Sequence, residues 1–231
     1  MFSFKGFITT EKNTHLEHLE DDIINRGSEG GKNAVNFLKS VRNMLAGSSS
    51  GRVNMSVKWD GAPAIICGIN PENGKFFVGT KSVFNKTPKI NYTPADISKN
   101  HSGPVALKLN ACLRDLKRLG IRGIYQGDLL FTKGDLKPAV IDGEKMITFT
   151  PNTITYAVPM NSKLGRQIAR ARIGIVFHTY YTGKNMQSLT AGFGTIKGSG
   201  GSSVVYLASA GYTDTSGSST FTSGELSRFD A

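Results

Sequence analysis

A lysine and an acid stand two residues apart in the run KWDG, residues 58–61, which holds the only tryptophan of the chain. Residues 53–57 before it alternate between apolar and polar, the pattern of a half-buried strand. If that strand continues to residue 60, Lys58 and Asp60 share one face and lie about 6–7 Å apart. The glycine and proline that follow then permit a sharp turn, which leaves both side chains open to a ligand.

A lysine at such a strand end can act as a nucleophile only when its amine is uncharged. With an ordinary pKa near 10.4, only about one lysine in a few thousand is neutral at pH 7. The neighbouring carboxylate of Asp60 favours the charged form, so a divalent metal or a second lysine must outweigh it. A solvated lysine in an ordinary hairpin is the alternative interpretation of the same four residues.

The elements that must position this lysine are a mixture of helices and strands without regular alternation, which predicts an α+β fold with antiparallel sheets. Apolar residues at helical spacing and capping signals predict helices at 14–26, 32–46, about 104–120, 162–171 and 222–231. Alternating or continuous apolar runs predict strands within 53–83, at 121–131, 145–158 and 172–181, and in the VVYLA segment near residue 205.

The composition restricts the classes of protein to which the chain can belong. No apolar run reaches the roughly 20 residues of a membrane helix, and the start lacks a signal-peptide core, so a cytoplasmic protein is expected. Cys67 and Cys112 are expected to be buried free thiols. Twenty-eight Lys and Arg against 17 Asp and Glu give a net charge of +11. This excess favours a polyanionic partner such as nucleic acid, with a mere solubility surplus as the alternative.

The Lys-x-Asp-Gly run resembles motif I of the covalent nucleotidyltransferases, the superfamily of ATP-dependent DNA ligases, RNA ligases and mRNA-capping enzymes. Three further segments follow in that superfamily's order: FFVGTKS at 76–82, GIYQGDLLF at 123–131 and RIGIVFHTYY at 172–181. They are similar to the next basic element, motif III and motif IIIa. Within the superfamily, the chain looks closest to ligase-like proteins of tailed phages.

The resemblance implies a role for each matching residue. Lys58 would attack the α-phosphate of ATP, with Mg²⁺ or Mn²⁺ assisting, and Gly61 would form part of the nucleotide-binding turn. Asp60 and Lys81 would hold the ribose and neighbouring groups. Asp128 would contact the ribose or a metal-bound water, which makes it a candidate metal ligand, and Phe177 would stack on the adenine. A core aromatic is the alternative interpretation of Phe177.

The implied fold is a nucleotidyltransferase or ATP-grasp-like core, in which two packed antiparallel sheets carry flanking helices and ATP lies between them. Residues 1–50 would be an N-terminal helical segment packed on this core, and residues 51–231 would be the adenylation core itself. No convincing motif IV or motif V follows residue 181. The core is therefore expected to be incomplete after about residue 190, either by truncation or through loss of the chemistry.

The function implied is that of an ATP-dependent polynucleotide ligase, which forms a lysyl-AMP and seals DNA or RNA ends. A phage-encoded protein would act in the host cytoplasm. Two alternatives remain: a non-catalytic module of the same shape that binds nucleic acid or nucleotide, and a capping-type guanylyltransferase. The missing motifs favour the binding module, and the intact Lys-x-Asp-Gly favours the enzymes.

Overall fold

The computed structural model describes residues 19–46, 59–194, 196, 204–209 and 222–230. Of these, residues 59–209 form one compact unit, and residues 19–46 and 222–230 fall in a second. Among the described residues, no helix combines the length and the apolar character needed to cross a membrane.

The described residues of the second unit form α1 (Leu19–Arg26), α2 (Ser28–Leu45) and α6 (Ser223–Asp230). Helix α2 begins four residues before the predicted start at residue 32, although two glycines lie in its first turn. A Cβ on Gly30 would lie 1.9 Å from the carbonyl oxygen of Asp22, so glycine lets α2 pass directly against α1. The first five residues of the helix predicted at 14–26 lie outside the described residues.

In its described residues, the first unit contains nine strands and three further α-helices. The helices are α3 (Pro94–Asn100), α4 (Gly103–Leu116) and α5 (Lys163–Arg170). The strands are β1 (Ala64–Ile69), β2 (Phe76–Gly79), β3 (Ile124–Thr132), β4 (Lys137–Ile141), β5 (Glu144–Phe149), β6 (Tyr156–Pro159), β7 (Ile173–Thr182), β8 (Thr190–Phe193) and β9 (Val205–Ala208). The predicted helix at 162–171, the strand at 172–181 and the strand near 205 are confirmed.

The strands form two sheets, so the fold is α+β. In the larger sheet the order is β2-β1-β3-β7-β8, and β9 pairs with the remaining part of the β7 edge. Every pair in it is antiparallel except β7 with β9, which is parallel. The expectation of purely antiparallel sheets is therefore wrong for β9. The smaller sheet, β4-β5-β6, is antiparallel throughout.

The main hydrophobic core lies where α4 packs against one face of the larger sheet. Leu109, Cys112 and Leu116 of α4 are fully buried against Ile65, Cys67 and other strand residues. Both cysteines are free and buried, as expected. The opposite face of the sheet carries a second cluster around Phe77 and Tyr181, and this face also holds the polar groups of the candidate site.

Candidate functional site

Lys58 itself lies outside the described residues, and the description of the motif starts at Trp59. Residues 59–61 form an irregular segment, and the strand β1 begins only at Ala64. The condition under which Lys58 and Asp60 would share a strand face is therefore not met. What positions this segment is a set of contacts with the loop between β5 and β6 and with β3.

The carboxylate of Asp60 binds the β5–β6 loop through four hydrogen bonds. It accepts them from the Asn152 side-chain amide (2.8 Å), the backbone and hydroxyl of Thr153 (both 2.9 Å) and the backbone of Ile154 (3.0 Å). These donors, that of Asn152 foremost, hold the pKa of Asp60 well below its usual range. Asp60 therefore has a clear structural role as the anchor of residues 59–61, and its predicted contact with a nucleotide stays a prediction.

Aromatic rings reinforce this anchor. The Tyr156 hydroxyl accepts a hydrogen bond from the backbone N–H of Asp60 at 2.9 Å, and its ring lies 5.2 Å from that of Trp59. Tyr156 in turn stacks on Phe149, whose ring is 4.9 Å from that of Phe131 in β3. A continuous row of rings thus connects the segment after Lys58 to both sheets.

Gly61 brings the same segment directly onto Asp128. A Cβ at Gly61 would lie 2.5 Å from the Cβ of Asp128 and 3.1 Å from the carbonyl oxygen of Leu129, so only glycine fits this approach without a shift. Two backbone hydrogen bonds secure it, from Ala62 to the Leu129 carbonyl (3.0 Å) and from Leu129 to the Pro63 carbonyl (3.2 Å). The Lys-x-Asp-Gly segment and the acid of the motif III-like strand are therefore neighbours.

Asp128 faces His178, a residue for which the sequence showed no partner. The Oδ2 atom of Asp128 lies 3.5 Å from Nε2 of His178, and the two side chains are 20% and 28% exposed, respectively. The register between β3 and β7 shifts at Gln126 and Gly127, which lie opposite Thr179 and Phe177 and leave His178 as the extra residue. Nδ1 of His178 is 2.8 Å from the Thr179 hydroxyl, which fixes the ring.

Two residues before Asp128 in β3 lies a further polar residue, Gln126, which is 7% exposed. The hydroxyl of Tyr181 donates a 2.6 Å hydrogen bond to Oε1 of Gln126, and burial raises the pKa of Tyr181 so that this donor keeps its proton. Strict alternation along β3 predicts Gln126 and Asp128 on one face of the strand and Tyr125, Leu129 and Phe131 on the other. Tyr125 and Leu129 do belong to the main core.

Phe131 departs from that expectation. A second register shift between Leu129 and Phe131 places Phe131 opposite Gly174, and the Phe131 ring covers the position that a Gly174 Cβ would take. Its contact with Phe149 joins it to the smaller sheet rather than to the α4 core. Strict alternation along β3 was therefore the wrong assumption at this bulge.

Two further residues, Phe177 and Lys81, were predicted to contact the nucleotide. Phe177 is 2% exposed within the main core, where its ring meets that of Tyr125 at 6.1 Å. In this structure Phe177 packs as a core aromatic, and its stacking on an adenine stays a prediction. Lys81 is exposed at the first position of a short 3-10 turn after β2.

Comparison with known proteins gives one match. Residues 13–231 match the family model described as "Family of unknown function (DUF6267)". The chain belongs to this family. Neither the search of curated proteins nor that of solved structures gives a match. Membership in the DUF6267 family therefore assigns no chemistry to the chain.

Proposed function

We propose that this DUF6267 protein is an ATP-dependent polynucleotide ligase of the covalent nucleotidyltransferase type, with Lys58 as the nucleophile. One observation supports it above the others: Gly61, three residues after Lys58, lies against Asp128. The two segments that resemble motif I and motif III are about 65 residues apart in the chain. Their contact is what a shared nucleotide site requires, because binding and reacting groups must converge.

In the proposed reaction, the Lys58 amine forms a bond to the α-phosphorus of ATP and loses a proton. The bond to the β-phosphate oxygen breaks, so a lysyl-AMP and pyrophosphate result. The AMP then passes to a 5′-phosphate end, and a 3′-hydroxyl displaces it to seal the strand. The reaction would take place in the cytoplasm, which is the host cytoplasm if the protein is phage-encoded.

The proposed reaction also uses a divalent cation, for which Asp128 is the candidate ligand. The described residues contain no cluster of three or more His, Cys, Asp or Glu side chains that could enclose a metal. Mg²⁺, however, is commonly bound by one or two carboxylates together with substrate phosphates. Asp128 is half-buried and adjacent to the motif, and would supply such a carboxylate. Mg²⁺ or Mn²⁺ would neutralise charge that develops on the phosphates.

The experiment is covalent labelling of the protein with ATP radiolabelled at the α-phosphate, in the presence of Mg²⁺ or Mn²⁺, followed by denaturing electrophoresis. We expect label on the wild type and on Lys117→Ala, since Lys117 is an exposed lysine beyond α4. We expect none on Lys58→Ala. Label that persists in Lys58→Ala, or no label with any nucleotide, contradicts the proposal. Labelling by GTP alone would instead indicate a capping-type guanylyltransferase.

The second candidate is a binding module of nucleotidyltransferase shape that performs no adenylation. It is favoured by the net charge of +11 and by the absence of motif IV- and motif V-like sequences after residue 181. An unlabelled protein that still binds DNA or RNA would select this candidate over the ligase.

A further inference from the structure

Helix α5 separates its side chains by charge. Lys163, Arg166 and Arg170 lie at spacings of three and four residues, so they share one face of the helix, and all three are exposed. The other face carries the buried residues Gly165 and Ile168. A Cβ at Gly165 would lie 2.1 Å from the carbonyl oxygen of Pro159, so this face is fixed closely against the end of β6. We call Lys163, Arg166 and Arg170 the α5 basic face.

No carboxylate of the described residues forms a salt bridge with this face. Residues 145–213 contain no Asp or Glu at all. The side chains of Arg166 and Lys133 instead donate to neutral backbone carbonyls, those of Asn161 and Ala169. In contrast, Arg26 in the other unit binds both Asp22 and Glu29, the usual arrangement of charges on a solvated helix. The α5 basic face therefore keeps its full positive charge.

The positive charge extends beyond the helix. Arg172, two residues after α5, contacts Asp115 at 3.4 Å, and Arg114 contacts the same carboxylate at 2.5 Å. Asp115 is completely buried, whereas both arginines are about half exposed. Two guanidinium groups therefore share one carboxylate, which leaves an excess of positive charge at Arg114 and Arg172.

We propose that the α5 basic face binds the phosphate backbone of nucleic acid. From Lys163 to Arg170 the helix rises about 10 Å, at about 1.5 Å per residue. Phosphates of one duplex strand follow each other at about 3.4 Å along the axis, so three cations face about three phosphates. Arginine and lysine without competing carboxylates release the counterions of such a backbone, which provides the free energy of binding.

An anionic membrane is a poorer fit for the same helix. A helix that lies in a membrane surface exposes a large apolar face to the lipid. The apolar residue Ile168 of α5 is buried in the protein, and Leu164 is the one large apolar side chain that the helix exposes, at 39%. The surface that α5 presents is therefore charged rather than amphipathic.

The position of the face also suits the proposed chemistry. Helix α5 leads directly into β7, whose residue Val176 pairs with Asp128. From Ile173 to Val176 the strand covers about 10 Å. A polynucleotide on α5 would thus bind at the element that leads into the strand paired with Asp128. The role of this face in bringing polynucleotide ends to the ligase site rests on the proposed function. Its binding of nucleic acid does not.

The test measures binding of a fluorescent DNA duplex of about 20 base pairs, and of its single strand, by anisotropy without ATP at salt concentrations from about 50 to 200 mM. The test variant is Lys163→Gln/Arg166→Gln/Arg170→Gln, because glutamine removes charge but keeps helix propensity. The matched control is Lys75→Gln/Lys86→Gln/Lys117→Gln, which removes three exposed lysines elsewhere. Thermal melting verifies that both variants fold.

We expect the α5 variant to bind nucleic acid at least about tenfold more weakly than the wild type. For the duplex, the slope of log K against log salt should become less steep by about 2.7. The control should lose clearly less. The proposal is overturned if the α5 variant binds as the wild type does, or if the control loses as much. It is also overturned if the α5 change weakens binding to phosphatidylserine vesicles but leaves nucleic-acid binding intact.

The same variants separate this inference from the proposed function. Lys58→Ala should bind the duplex normally, and the α5 variant should still be labelled by ATP. Absence of label in every protein, with binding that depends on α5, would refute the ligase and support the α5 surface. Normal labelling with binding that does not depend on α5 would refute the surface alone.

Discussion

Two aspartates flank Gly61: Asp60 precedes it in the chain, and Asp128 lies against it in the fold. Their side chains are identical, yet the surroundings of the two carboxylates differ. The carboxylate of Asp60 accepts four hydrogen bonds from the β5–β6 loop. That of Asp128 faces one imidazole at 3.5 Å and is partly exposed. The comparison teaches that a motif locates two acids, whereas their hydrogen-bond partners decide which one is available for a ligand. Asp60 anchors residues 59–61 on the β5–β6 loop, and the carboxylate of Asp128 is the one to which the proposed function assigns a ligand.

The largest expected effect follows from Asp128→Asn. Because the change preserves shape and removes the charge proposed to meet metal or ribose, ATP labelling should fall by about 100-fold or more. The thermal midpoint should change little, since no strong hydrogen bond of Asp128 is lost. Normal labelling, or a severe loss of stability, would place Asp128 with Asp60 as a structural acid.

Gly61→Ala should break the contact on which the comparison depends. A methyl group 2.5 Å from the Asp128 Cβ must displace one of the two segments, with an expected loss of about 1–3 kcal/mol in the free energy of unfolding. Urea denaturation measures it, and labelling should fall as well. Gly134→Ala is the control, because a Cβ there meets nothing within 4 Å and should leave both readouts unchanged.

His178→Ala should lower labelling by about 10- to 100-fold, the usual effect of losing a residue that orients a functional carboxylate. His178→Gln, which retains a hydrogen-bond donor, should recover part of the loss. Initial labelling rates with both variants provide the measurement. Equal rates for wild type and His178→Ala would mean that Asp128 is positioned without the imidazole.

Asp60→Asn should have the smallest effect on chemistry and act mainly on stability. The thermal midpoint should fall by a few degrees at neutral pH, because the amide cannot accept all four hydrogen bonds. Since the folded state lowers the pKa of Asp60, its contribution is present above the unfolded value near 4 and is lost below it. The difference between wild type and variant should therefore shrink as the pH falls below about 4.

Much of the fold was predictable because local patterns matched the final environment. Helix α5 shows a strong helical periodicity and strand β7 a continuous apolar run, and both have confirmed bounds within about a residue. Helix α3 was missed, since its short polar run shows no apolar stripe. Its signal was the reciprocal capping of Thr93 and Asp96, with Pro94 at the first helical position. The parallel pairing of β9 depends on a partner far away in the chain, which no local pattern encodes.

The candidate site was predictable in its ingredients but not in its arrangement. Asp128 and the Lys-x-Asp-Gly run were both found from residue type and order. The pairing of His178 with Asp128 was not, because it depends on one extra residue in β7 that breaks the alternation of the strand. Phe177, the candidate for stacking on the adenine, lies in the main core because its face of β7 packs on α4.

The sequence by itself determined the charge of the protein, the uneven distribution of its acids and the periodicities that form its main helices and strands. These are local or summed properties, which need no knowledge of distant contacts. Only the tertiary structure decided which carboxylate is satisfied, which faces a histidine, and which basic residues lie unpaired on one surface. Each of these depends on atoms that are far apart in the chain and meet only when the sheets form.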